Sequence, residues 1–148
     1  MFKKLAIILS VFLLSISVSS CSMLEEVVGK LMGTSIIGNT YVLEGFDIEM
    51  KPGSYYTLEQ IENEAINQIG CTQFTVIDEE NIECYIYGEY FIVNYYVVDD
   101  SMFLVSPYDN SIELELKITK NDIRIDVLQR PTILSYECEV LEGVFVKQ

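Results

Sequence analysis

The stretch from Ile112 to Leu128 constrains the fold more than any other part of the chain. Ile112, Leu114, Leu116 and Ile118 alternate with Glu113, Glu115 and Lys117, and after Lys120-Asn121 the same alternation resumes with Ile123, Ile125 and Val127 against Arg124 and Asp126. A period of two places successive side chains on opposite faces of a strand. A two-residue loop at Lys120-Asn121 pairs Ile118 with Ile123, Leu116 with Ile125 and Leu114 with Val127, which puts every apolar residue on one face. Asn121 suits such a loop because asparagine tolerates a positive φ. The chain therefore contains a one-faced antiparallel sheet that needs a core to cover it.

Most of the sequence follows the same rule. Thr72 to Ile77 and Ile82 to Tyr87 flank Asp78-Glu79-Glu80-Asn81, while Tyr90 to Val98 and Met102 to Val105 flank Asp99-Asp100-Ser101. In 90–98 both faces are apolar, with Phe91, Val93, Tyr95 and Val97 on one side and Ile92, Tyr96 and Val98 on the other, so one side is expected to meet a helix. Ile36 to Leu43, Phe46 to Met50, Thr132 to Leu141 (alternating Leu134, Tyr136, Cys138 and Val140) and Gly143 to Lys147 bring the count to about eight to ten strands with short connections. One helix interrupts the series near 58–69. Thr57-x-x-Gln60 has capping-box form, Leu58, Ile61, Ala65, Ile66 and Ile69 make an apolar stripe, and Gly70 stops it. A shorter helix is expected over Ser22 to Met32, with Ser22-x-x-Glu25 at its start and Gly33 at its end.

The first twenty residues have another character. Lys3 and Lys4 precede an uncharged apolar run from Leu5 to Val18, too short for a permanent bilayer span and typical of an export signal. Val18-Ser19-Ser20-Cys21 resembles the lipobox of bacterial lipoprotein signal peptides. That resemblance implies cleavage before Cys21, a diacylglyceryl group on its sulfur, and a mature protein held at a bacterial membrane. Ser22 in the next position favours the outer membrane over the inner. The chain then divides into a signal peptide at 1–20, a lipidated tether with a short helix at 21–35, and one β domain at 36–148, a normal domain size.

Removal of residues 1–20 takes two of the nine cations and none of the 23 acids, leaving a net charge of −16. Nucleic acid and anionic lipid surfaces are poor partners for such a chain, which lacks the clustered Lys and Arg that displace counterions. Asp78-Glu79-Glu80 and Asp99-Asp100 fall at turns without the spacing of a calcium loop. The chain has no histidine, and Cys71, Cys84 and Cys138 form no Cys-x-x-Cys pair, so neither a metal site nor a cofactor is expected. Their state stays open: buried free thiols, one disulfide with one buried thiol, or a reactive thiol.

Consecutive hairpins commonly protect their edges by closing into an up-and-down barrel. With a helical lead-in, Ile37-Gly38-Asn39-Thr40-Tyr41 opening the first strand, and a meander running to the C-terminus, residues 33–148 resemble the lipocalin-like (calycin) family. Lipocalins carry Gly-x-Trp where this chain has Gly38-Asn39-Thr40, and they place their helix after the barrel. The resemblance implies a mainly β, antiparallel barrel of about eight strands and a small apolar ligand such as a fatty acid, with Tyr85, Tyr87, Tyr90, Tyr95, Tyr96 and Tyr136 as candidate lining. The alternative is a filled barrel that works as a structural or protein-interaction lipoprotein. An enzyme is not expected. Histidine-dependent triads are ruled out by composition, Glu113 and Glu115 read as solvated sheet residues, and Glu137-Cys138-Glu139 on a strand sets the thiol opposite both acids.

Overall fold

A computed structural model describes residues 36–106 and 111–148; the expected signal peptide, Cys21 and the helix expected over 22–32 lie outside them. Eight antiparallel strands follow the chain order around a closed barrel. They are β1 (Thr40–Met50), β2 (Cys71–Val76), β3 (Asn81–Ile86), β4 (Glu89–Val98), β5 (Ser101–Val105), β6 (Ile112–Ile118), β7 (Asp122–Asp126) and β8 (Cys138–Lys147). β8 pairs with both β7 and β1, so no sheet edge remains along that seam. The predicted fold class is the observed one.

The two segments expected at 36–43 and 46–50 are one strand, β1, which bends at an irregularity between Leu43 and Gly45. Bulges of this kind increase local twist and help a sheet curl into closure. The β6–β7 hairpin keeps the expected register at Ile118↔Ile123 and Leu116↔Ile125. It ends one pair early. Val127 turns out of the ladder into a 3-10 segment, Val127–Gln129, capped by the Asp126 carboxylate accepting from the Leu128 amide at 2.8 Å. The Gln129 side chain then takes over at β6, accepting from the Glu115 amide at 2.9 Å.

Residues 132–141 correct the strand expected there. Leu134–Glu137 form a single helical turn, α2, and β8 begins at Cys138. A register shift between Glu49 and Met50 resets the alternation, so Cys138 and Leu141, three apart, are both buried. Glu137 is not opposite the thiol on a strand. Its carboxylate accepts from the Ser54 hydroxyl at 2.5 Å and the Tyr55 amide at 2.9 Å, which holds it below the usual carboxylate range and pins the loop after β1 to α2.

The helix α1 (Leu58–Ile69) has the expected bounds. Thr57 and Gln60 exchange both capping-box hydrogen bonds, and Gly70 closes the helix at φ +66°. Its stripe is narrower than expected: Ile61 and Ala65 are fully buried, whereas Leu58 and Ile66 are largely exposed. α1 lies over one end of the barrel against Val127, Leu134, Cys138 and Leu141, with Ile69 touching the barrel interior as well. Gly143 makes this approach feasible. A Cβ there would stand 2.9 Å from a methyl of Ile125 and 3.0 Å from Ile69. Gly143→Ala is expected to destabilise the fold by about 1–3 kcal/mol through overpacking; a thermal melt unchanged within a degree would contradict this packing.

The other end carries the β2–β3, β4–β5 and β6–β7 turns and receives the chain at Ile36, next to Val76. There the interior is filled. Tyr41, Phe74, Val76, Ile82, Tyr95, Met102, Leu116, Ile118, Ile123 and Phe145 are all nearly inaccessible, and the rings of Tyr41, Phe74 and Phe145 follow one another at 5.3 and 5.2 Å.

Candidate functional site: an apolar mouth beside the helix

In an antiparallel ladder, directly paired residues share a face, so the pairings identify which β4 side chains point inward. Cys84↔Phe91, Ile82↔Val93 and Tyr95↔Leu104 put Phe91, Val93 and Leu104 on the inner face. At the turn end most such positions are closed off, with Val97 half-buried. Toward the helix end they are not: Cys71, Ile86, Val93, Leu104 and Leu114 are half-buried, and Phe91 is 46% exposed although it faces inward. These six form an apolar rim running from β2 to β6.

Two features of the chain produce this opening. α1 packs mainly on the side of the barrel end formed by β1, β2, α2 and the Val127–Gln129 segment. The β4–β5 ladder begins at Asn94↔Val105, so Glu89 to Val93 extend past the last β5 partner among the described residues. The β3–β4 hairpin frames the mouth. Tyr87 and Gly88 occupy its two-residue turn at φ +49° and +90°, as a type I′ turn requires. Tyr87 is held in that unfavourable region by its hydroxyl, which donates to the Asn67 carbonyl of α1 at 2.8 Å.

The tyrosines expected to line a cavity mostly do not. Tyr95 alone of the six is buried inside, at the filled end, where its hydroxyl donates to the Asp78 carbonyl at 2.6 Å. Burial, with the Asp78 and Glu79 charges nearby, pushes its phenol up to about 12. Tyr90 and Tyr96 stand on the outer face, Tyr87 at the hairpin tip and Tyr136 on α2, all exposed, and Tyr85 packs outside against Tyr90 at 5.0 Å. The helix expected over β4 is not there among the described residues. Tyr90, Ile92, Tyr96 and Val98 stay largely exposed.

The acidic clusters organise turns. Asp78 accepts from the Glu80 and Asn81 amides at 2.9 and 2.8 Å, which lowers its pKa, and Asp100 lies 3.5 Å from Lys117. Among the described residues, no group of three or more Cys, Asp or Glu is arranged to hold a metal ion. A second depression, about 460 Å³, lies on the outer wall between β1, β7 and β8. Its cation is already satisfied. Arg124 donates to Asp47 at 2.6 Å, Glu142 at 3.0 Å and Asp122 at 3.2 Å, tying the three strands of the closing seam. Burial works against the charge on Asp122, but hydrogen bonds from Thr119 and Arg124 outweigh it and hold the carboxyl below its ordinary value.

Fold and mouth define the class: a small, closed, eight-stranded antiparallel meander barrel, compatible with a lipocalin-like barrel and of the size that can hold one small ligand. Protein-family models, curated proteins and solved structures contain no match to this chain.

Proposed function

We propose that this protein is a membrane-anchored bacterial lipoprotein whose barrel takes a small apolar ligand, of the acyl-chain class, through the mouth beside α1. One observation carries the reading: Phe91, an inward-facing aromatic side chain at this end, is 46% exposed, whereas the inward-facing residues at the other end are buried or, like Val97, at most half-buried. An acyl chain inserted there would remove that surface from water, at about 25 cal/mol per Å². The tether is compatible with this use. Ile36 enters at the turn end, so a chain anchored through lipid on Cys21 carries its mouth on the opposite end of the domain.

A second reading, a protein-interaction lipoprotein, rests on a different surface. Tyr90, Ile92, Tyr96 and Val98 share the outer face of β4, with Glu83 opposite Ile92 and Phe103 stacked on Tyr96 at 5.2 Å. Such an apolar strip with acidic neighbours suits a protein partner bearing an apolar patch rimmed by Lys and Arg.

Adjacent residues separate the two, because Phe91 faces inward and Ile92 outward. Titration with the neutral dye N-phenyl-naphthylamine is expected to show saturable fluorescence enhancement. Phe91→Asp should weaken it at least about tenfold, while Ile92→Asp leaves it unchanged, since a charge in an apolar contact carries a desolvation penalty. Both sites are solvent-exposed, so both variants should fold. Equal dye responses from the two variants would remove the mouth as the site.

A further inference from the structure

We propose that Cys71 and Cys84 form an intramolecular disulfide in the exported protein, and that Cys138 remains a thiol. The proposal rests on the export reading for its oxidising compartment and on the barrel for its geometry. Cys71 opens β2 opposite Ile86, and Cys84 lies two residues before Ile86 on β3, so both sulfurs point to the inner face. The ladder slips between Cys71 and Gln73, where an extra residue bends β2. Across that bend the two thiols are near enough to perturb each other's ionisation. Cys84 is paired directly with Phe74, so the two cysteines are diagonal neighbours, and closing the bond draws their Cα atoms within about 7 Å of each other.

The two sulfurs differ in a way that sets the order of events. Cys71 is half-exposed at the mouth, its thiol 3.1 Å from the Gln73 carbonyl, and the neighbouring Cys84 thiol holds its pKa below the ordinary thiol value. Cys84 is 4% exposed, and the neighbouring Cys71 thiol and burial push it up. Cys71, the more accessible of the two, is thus the attacking sulfur. Its sulfur attacks one sulfur of an external protein disulfide or of oxidised glutathione, forming a mixed disulfide and releasing the other half as a thiol. Cys84 then loses its proton and displaces the second half from Cys71. The chain loses two electrons and two protons, and the oxidant gains both as two thiols. Cys138 takes no part: it sits in the separate cluster under α1 with Ile61, Ala65, Leu134 and Leu141, where burial and the Glu137 charge raise its pKa.

The staple would fix β2 to β3 along one wall of the mouth. Full-length protein purified in reduced form, exposed to oxidised glutathione, alkylated and mapped by mass spectrometry should give a Cys71–Cys84 cross-linked peptide pair. Cys138 should be alkylated only after unfolding, and the oxidised form should melt roughly 10 °C higher. Cys84→Ser should stop at glutathione bound to Cys71. Three alkylated thiols after oxidation, or any link through Cys138, would overturn the pairing. Acid-quenched cells provide the second arm. A bond present there supports the whole proposal; a bond that closes in the purified protein but is absent in cells overturns the export reading and leaves the pairing geometry standing.

Discussion

Phe145→Ala is expected to lower the unfolding free energy by about 3–5 kcal/mol, the range for truncating a fully buried aromatic residue. Phe145 is 1% exposed and lies on β8, the strand that closes the barrel. Its ring packs 5.2 Å from Phe74, which in turn stacks on Tyr41 of β1. Removing the ring empties the centre of the filled end and loosens the seam between first and last strands. A domain of this size has roughly 5–15 kcal/mol in total, so the variant should sit near the edge of folding. In urea the midpoint should fall by about 2 M at an m-value typical of small proteins. Phe145→Leu keeps most of the volume and should lose less than half as much. A loss below about 1 kcal/mol for the alanine variant would show that the turn end is not packed as described.

Cys21→Ala is expected to release the protein from the membrane fraction almost completely. A single acyl chain gives only marginal retention, whereas two or more hold a protein firmly, each buried methylene contributing about 0.8 kcal/mol. Without the sulfur there is no site for the diacylglyceryl group, and without lipid this strongly acidic domain has no electrostatic hold on an anionic membrane surface. Radioactive fatty acid fed to cells should label the wild-type chain and not the variant, and fractionation should move the variant at least about tenfold toward the soluble pool. Label retained by the variant would refute the lipoprotein reading. The Phe91→Asp variant should keep both label and membrane location, which separates anchoring from ligand uptake.

What the sequence revealed depended on whether the signal was local. α1 was legible because Thr57, Gln60 and Gly70 act within one turn of its ends. The β6–β7 register was legible because the tight loop at Lys120-Asn121 leaves no freedom to slip without exposing apolar residues. Residues 134–140 misled because Leu134, Tyr136, Cys138 and Val140 imitate a strand. In the fold Tyr136 is 80% exposed on a helical turn, and the irregularity near Glu49 and Met50 changes which face follows. The tyrosines misled for a related reason: alternation says which residues share a face but not which face is inside. The mouth was hidden entirely. Phe91 and Val93 were correctly placed on one face, but their exposure depends on where the β4–β5 ladder begins and on which side of the barrel end α1 covers. Both are settled by tertiary contacts.

The central claim is that the helix end of the barrel holds a small apolar ligand. Native mass spectrometry of the protein taken gently from its own membranes tests it most directly. A population heavier by the mass of one acyl-chain molecule, lost on organic extraction and much reduced in Phe91→Asp, is the expected result. Repeated isolation of the wild-type protein at its bare lipidated mass, with no such adduct under conditions that preserve apolar complexes, would contradict it.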